Sequence, residues 1–343
     1  MFERILCIQL RRIGDVLMTT PAVRELRRAY PQAEITFLTE PPSDQVFLHN
    51  PHLDAVELWP RKGGALEKLS WLLELRSRRF DLVVDFFSNP QSAIITRFTG
   101  AGRRIGFDFQ GRRWAYTDRH GLKGLPPYTP SHKLALLSGL GISGSVDLIP
   151  EVNPGAEDRA YAERQLEELG VKPDDFLVGI SPVSRQPYKV WPAEQFARLA
   201  DVLIERYSAK ILLLWGPGEE SFVDRVRLAM HHQALPDYPI PSLLQMTALL
   251  EKVHLLVGND NGPRHFAIAR RTPTVGVFGK TEVESWTPPG QPLARSVFHD
   301  PGCRQSCSWP KCGLECLNDL SFESVERVVE QLIEVVLKDG KPV

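Results

Sequence analysis

Short apolar runs alternate along this chain with longer stretches whose apolar residues recur at helical spacing, and the pattern is run through twice. In the first half Arg4–Leu10, Glu34–Thr39, Ala55–Leu58 and Asp81–Phe86 have the length and β-branched or aromatic content of buried strands. Between them, Pro21–Tyr30 is expected to be a helix with Thr20 as its N-cap and Pro21 at its first position. Ala65–Arg79, with Leu66, Leu69, Leu72, Leu73 and Arg76 at helical spacing, is expected to be another. In the second half strands are expected at Leu177–Ser181, Lys210–Trp215, His254–Gly258 and Thr274–Phe278. Helices are expected at Ala193–Arg206, Glu219–Met230, Ser242–Glu251, from Gly262 to Ala269, and near Ser321–Leu337. Strands that alternate with helices specify parallel sheets covered on both faces. The chain is therefore expected to be α/β, with two doubly wound, Rossmann-like domains and the ligand in a cleft between them.

A length of 343 residues accommodates two such domains. The Pro-rich, polar segment Ile149–Pro154, followed by a charged helix near Glu157–Leu169, marks the join. The division expected is a first domain over 1–155, a second over 172–320, and a terminal helix and tail over 321–343.

Composition excludes several classes. No apolar run approaches the roughly 18 residues of a membrane-spanning helix. The opening run Ile5–Leu10 is too short for a secretory signal and ends in Arg11 and Arg12. Five cysteines, one of them in the first strand, do not form a fully paired disulfide framework, so a reducing, cytoplasmic setting is expected. Lys plus Arg (41) balances Asp plus Glu (42), which argues against a general nucleic-acid binder. The balance conceals an asymmetry. Residues 1–150 hold 20 basic against 15 acidic residues, and the remainder holds 21 against 27. An anionic partner is expected for the basic half.

In doubly wound sheets ligands meet the loops that follow strands. Four such loops stand out. Arg11-Arg12-Ile13-Gly14-Asp15 follows the first strand. Asp15 suits a general base that takes a hydroxyl proton, and it suits a helix N-cap still better on spacing alone. Ser181-Pro182-Val183-Ser184, with Lys189 downstream, suits phosphate oxygens, or is a solvated loop. Gly216-Pro217-Gly218-Glu219-Glu220 gives a ligand access to backbone and an acid for ribose hydroxyls, or simply complements a helix N-terminus. Val257-Gly258-Asn259-Asp260-Asn261-Gly262-Pro263 runs from a buried strand into a helix start. Its backbone N–H groups and dipole would attract an anion, although the same residues serve a plain turn.

Taken in order, Gly14-Asp15-Val16, Lys189-x-Trp191-Pro192, Gly258-Asn259-Asp260-x-Gly262-Pro263-x-His265, Thr272-Pro273-Thr274-Val275 and Phe278-Gly279 resemble glycosyltransferase family 9, the ADP-heptose:lipopolysaccharide heptosyltransferases. The resemblance runs from about residue 4 to 337. It implies a GT-B fold with an acceptor-binding first domain and a nucleotide-sugar-binding second domain. The reaction implied is inverting, metal-independent transfer of a heptose to a lipopolysaccharide inner-core acceptor. It casts Asp15 as general base, Lys189 and Ser184 at the donor phosphates, Asp260, Asn261 and Gly262 along the diphosphate and sugar, Glu220 near the ribose, and His265 as structural. No cofactor is required on this view, and no Asp-x-Asp occurs anywhere to bridge a metal to a diphosphate. Three positions depart from the family's habit: Pro182-Val183-Ser184-Arg185 in the phosphate loop, Arg264, and Lys280. They leave the donor's identity open. So do two rivals, a family member using another nucleotide sugar or glycan acceptor, and a sugar-nucleotide binder without transfer activity.

Six arginines lie between Arg97 and Arg119, interleaved with Phe107, Phe109, Trp114 and Tyr116. Guanidinium groups pair bidentately with phosphates and carboxylates. Arg103, Arg104, Arg112 and Arg113, with Arg11 and Arg12, are therefore candidates for an anionic glycolipid acceptor, with a solvated loop as the plain alternative. Cys303, Cys307, Cys312 and Cys316 fall within 14 residues and are a candidate structural site for zinc or an iron–sulfur cluster, against reduced structural thiols. A monomer with no more than peripheral membrane contact is expected.

Overall fold

The computed structural model describes residues 2–143, 147–303 and 306–338. It divides into two compact units, Met1–Asn153 and Pro154–Val343.

The first unit is built on a six-stranded parallel sheet. Its strands are β1 (Arg4–Ile8), β2 (Glu34–Thr39), β3 (Ala55–Leu58), β4 (Leu82–Asp85), β5 (Arg103–Phe107) and β6 (Asp118–His120). Their order is β3-β2-β1-β4-β5-β6. The chain winds outward from β1 in one direction, then returns to the centre at β4 and winds in the other. The reversal lies between β1 and β4, where the loops leaving both strands diverge and open a crevice. Ile5, Leu6, Cys7 and Ile8 are fully buried, as a central parallel strand covered on both faces requires. The helix Thr20–Ala29 seals one face with Ala22, Val23 and Leu26. The cap position is Thr19 and not Thr20, and neither hydroxyl caps the helix: Thr19 Oγ1 donates back to Val16 O (2.6 Å) and Thr20 Oγ1 to Leu17 O (2.8 Å). Pro21 thus stands one place inside the helix start.

The second unit carries β7 (Leu177–Ser181), β8 (Lys210–Leu213), β9 (Leu255–Asn259), β10 (Thr274–Phe278) and β11 (Ala294–Phe298), all parallel, in the order β11-β10-β9-β7-β8. Here the reversal lies between β7 and β9. The core packs Val178, Ile180, Val257, Val275 and Val277 of the sheet against Trp191, Phe196 and Leu203. The terminal helix Phe322–Lys338 is part of this core and buries Val325, Val329, Leu332, Ile333 and Val336. The helix Leu243–Lys252 begins at a reciprocal cap in which Ser242 and Gln245 bond each other's backbone N–H.

Several elements carry no clear sequence signal. The helices Pro90–Phe98 and Thr129–Ala135 and the strands β5, β6 and β11 are among them. β6 is a three-residue polar strand and β11 begins Ala-Arg-Ser. Both are sheet edges, where only one flank has a partner strand and polar residues are tolerated. The loops on which the functional argument rests leave the central strands of each sheet.

Candidate active site

In the first unit the reversal point is lined by the segments that follow β1 and β4. Arg12, extended with ψ 167°, opens the short helix Ile13–Leu17. Asp15 therefore sits in the first turn and is not the N-cap. One of its oxygens accepts loosely from Arg12 N at 3.4 Å, and the side chain is half-buried. This corrects the capping role that spacing alone favours. The cap position is occupied by an arginine, so the Asp15 carboxylate has only a weak structural duty.

After β4 lies a buried polar cluster that the sequence does not advertise. Asp85 is fully buried. It accepts from Phe87 N (3.0 Å), Ser88 N (2.8 Å), Tyr116 Oη (2.7 Å) and Thr96 Oγ1 (3.4 Å). Burial raises its pKa, and the hydrogen bonds oppose that rise. Beside it Lys133 buries its ammonium, whose pKa burial pushes down to about 8.

The arginine-rich stretch is largely spent on the fold. Arg103 grips Asp118 Oδ1 (2.9 and 3.2 Å) and donates to Gly139 O (2.6 Å), tying β5 to β6. Arg104 donates to Ala115 O (2.8 Å) and Ala101 O (2.5 Å). Arg113 forks onto Asp108 at 2.6 and 3.1 Å, and Arg112 lies 5.0 Å over the Phe109 ring. Phe107 and Tyr116 are core residues, whereas Trp114 is exposed. Of the six residues nominated for an anionic acceptor, Arg103 and Arg104 are thus corrected to structural ties. Arg11 is exposed beside the buried Glu40 at 3.6 Å, and Arg12 is exposed.

In the second unit the reversal point gathers most of the predicted donor residues. The end of β9 and the loop after β7 are stitched by amides. Asn259 Oδ1 accepts from Trp191 N (3.0 Å) while its Nδ2 donates to Pro182 O (2.5 Å). Asn261 Nδ2 donates to Ser181 Oγ (2.8 Å), Ser181 O (3.2 Å) and Val183 O (2.8 Å). Its Oδ1 caps the helix Gly262–Ala269 by accepting from Arg264 N (3.3 Å). Asn261 therefore fixes both the phosphate-loop candidate and the helix N-terminus. A Cβ added to Gly262 would meet nothing within 4 Å, so that N-terminus is open. Asp260 is 1% exposed and holds Lys189 Nζ at 2.5 Å, while its other oxygen has no hydrogen-bond partner. A buried carboxylate and a lysine are thus paired where an anion would meet the dipole and N–H groups of a helix start. His265 Nε2 stands 3.7 Å from Asp260, but burial pushes its pKa down to about 4, so the imidazole is neutral at physiological pH and the contact is not an ion pair.

The remaining nominees are more peripheral. Glu219, not Glu220, folds back to Gly216 N (2.8 Å) and closes the Gly-Pro-Gly turn. Glu220 stays exposed at the start of the helix Glu220–Ala229, and Ser184 is half-buried. The two other departures from the family pattern are also located. Arg264 is fully buried and donates to Trp286 O (3.1 Å), Thr287 Oγ1 (3.0 Å) and Ser296 Oγ (3.0 Å), which ties its helix to β11. Lys280 Nζ lies 5.4 Å over the Tyr188 ring. Lys280 and Tyr188 border a cavity lined by Cys303, Cys307, Cys312 and Cys316. These cysteines are free thiols, and among the described residues no group of three or more His, Cys, Asp or Glu side chains is arranged to hold a metal ion. The expectation of a zinc or iron–sulfur site has no support in this geometry.

Two doubly wound parallel sheets, each with polar side chains gathered at its reversal point, define the nucleotide-sugar transferase architecture known as GT-B. The family model for glycosyltransferase family 9 (heptosyltransferase) matches residues 69–310. The chain belongs to that family and is a glycosyltransferase. Its relatives include lipopolysaccharide heptosyltransferase 3 of Escherichia coli strain K12, 29% identical over 301 residues covering 81% of this chain and 83% of the relative. Another is the core heptosyltransferase OpsX of Haemophilus influenzae, 23% identical over 80% of this chain and 78% of the relative. Among solved structures, E. coli ADP-heptose LPS heptosyltransferase II superposes with a TM-score of 0.81 at 22% identity, covering 98% of this chain and 99% of that one. The likeness to that structure bears on the fold, and the fold expected from the sequence is the one observed.

Proposed function

We propose that the chain moves a heptose from ADP-heptose to a lipopolysaccharide inner-core acceptor, with inversion and without a metal in the reaction. The observation that carries this reading is the pairing of a partly buried Lys189 with the buried Asp260 at the open N-terminus of the helix Gly262–Ala269. Membership in the heptosyltransferase family and relatives named as lipopolysaccharide heptosyltransferases support the donor and acceptor.

In this mechanism the acceptor hydroxyl attacks the anomeric carbon as Asp15 takes its proton. The C–O bond to the diphosphate breaks through an oxocarbenium-like transition state, and both bonding electrons leave with ADP. The negative charge that grows on the diphosphate is met by Lys189 and by the backbone N–H groups at Asn261 and Gly262. Lys189 carries its charge to the site on a carboxylate partner, so the approaching phosphate competes with Asp260 for the ammonium. Ser184 contributes a hydroxyl to the phosphate loop and Glu220 an acceptor for ribose hydroxyls. Arg11, Arg12, Arg112 and Arg113 face the anionic acceptor. The first unit is thus the acceptor-binding domain and the second the donor-binding domain. The cysteine cavity takes no part, and its thiols are structural. The protein acts as a monomer on the cytoplasmic side of the membrane. Its contact with lipid is peripheral in this reading, and no helix among the described residues is long and apolar enough to cross a bilayer.

Product formation from ADP-heptose and a lipopolysaccharide core acceptor in EDTA, followed by mass spectrometry, tests this. Asp15→Ala is expected to lower kcat on the order of 100- to 10,000-fold, the usual scale of general-base catalysis, with donor KM little changed. Lys189→Ala is expected to lower kcat and weaken ADP binding together. Wild-type turnover in Asp15→Ala, or loss of wild-type activity in EDTA, overturns the mechanism.

A further inference from the structure

Lys133 lies in the helix Thr129–Ala135, and among the described residues of the first unit it is the one buried cation. Burying an ammonium is costly unless its hydrogen bonds are satisfied. Here they go to the ends of the two strands that flank the reversal point. Lys133 Nζ donates to Phe86 O at 2.6 Å, just past β4, and to Gln9 Oε1 at 3.0 Å, just past β1. The Gln9 amide passes the connection on, because its Nε2 donates to Arg11 O at 2.5 Å. Arg11 begins the loop that delivers Asp15. The ammonium faces the Phe107 ring from β5 at 5.7 Å. Asp15 and Asp85 are near enough to favour its charged form, but neither is bonded to it. Asp85 is occupied by Phe87, Ser88, Thr96 and Tyr116, and Asp15 by Arg12 N. A cation that lacks a carboxylate partner, sits at the reversal point and is wired to the base-bearing loop is poorly explained by stability alone. An apolar residue would fill the same space without the desolvation cost.

We infer that Lys133 is a positioning residue for transfer, holding the Arg11–Asp15 turn in place through the relay Lys133–Gln9–Arg11. The inference rests on Asp15 being the base. Its chemistry is geometric: a carboxylate displaced by about 1 Å from the acceptor hydroxyl loses on the order of 100-fold in rate. Neither Gln9 nor Lys133 belongs to the sequence motifs.

Three variants test it, assayed with ADP-heptose and a lipopolysaccharide core acceptor, with folding followed by circular dichroism. Lys133→Met removes the donor. Gln9→Glu keeps an acceptor for Lys133 but deletes the N–H that holds Arg11 O. Lys133→Arg keeps the donors. Lys133→Met and Gln9→Glu are both expected to lower kcat on the order of 10- to 100-fold, with donor KM unchanged, and Lys133→Arg to recover part of the loss. In an Asp15→Asn background, single-turnover rates are expected to show no further loss on adding Lys133→Met, because the two act through one group. Wild-type kcat in folded Lys133→Met or Gln9→Glu overturns the inference, as does an undiminished additional loss in the Asp15→Asn background. Full activity in Asp15→Asn alone instead overturns the base assignment on which the inference stands, so the two failures are told apart.

Discussion

His265 shows how a single buried group makes the donor site sensitive to acid. In the unfolded chain a histidine titrates near 6.5, but burial lowers His265 to about 4 in spite of the neighbouring Asp260. Between these values the unfolded state binds a proton that the folded state refuses, so stability falls as pH drops from 6.5 toward 4 and is unaffected above 6.5. The contribution is on the order of 3 kcal/mol at the acid end. Thermal unfolding of wild type and His265→Gln across pH 4–7 is expected to converge toward the acid end, with wild type losing more over that window. Equal slopes for the two proteins contradict this. The residue scale is also where sequence and structure part most often. Asp15, Lys189, Asp260 and Asn261 are legible because each follows a strand and because motif order resembles a known family. Lys133, Gln9 and Asp85 are not, since a lone lysine in a short Pro-containing helix looks solvated until the fold buries it.

At the scale of elements, the tie between the helix Gly262–Ala269 and β10–β11 depends on a residue with no side chain. A Cβ on Gly276 in β10 would stand 2.2 Å from Arg264 Nε and 2.7 Å from its Cδ. The guanidinium is held by Trp286, Thr287 and Ser296 and has no room to swing away. Gly276→Ala is therefore expected to destabilise the second unit by about 1–3 kcal/mol, the usual cost of overpacking, and to weaken ADP binding through the shifted helix. Differential scanning calorimetry with and without ADP measures both. An unchanged Tm means that Arg264 has an alternative berth. Central strands such as β1, β4, β7 and β9 are legible in advance because burial on both faces makes them continuous apolar runs. β6 and β11 are hidden by polar and charged residues that a sheet edge tolerates, and the interior strand β5 by Arg103 and Arg104, so an apparent basic loop is partly a strand whose arginines bind its neighbours.

At the scale of the whole molecule, residues 1–150 carry an excess of five positive charges and the rest an excess of six negative ones. Internal pairing consumes several of the cations, so the field available to an anionic acceptor is smaller than the count suggests. It rests largely on exposed groups such as Arg12 and Arg119. Exposed charges are screened by salt. Raising NaCl from about 50 to about 500 mM is expected to raise acceptor KM several-fold and donor KM less, because Asp260 is buried and Lys189 is less exposed than Arg12 or Arg119. Salt-independent acceptor KM removes the electrostatic role. Strand and helix periodicity, the family resemblance and the ordered motifs are local properties, and the amino-acid order alone determined them. Which cations are free, which carboxylates are buried and what supports Asp15 were decided by tertiary structure, because strands distant in sequence bring those groups together. Only packing sets whether a charge meets water, a partner or a ligand.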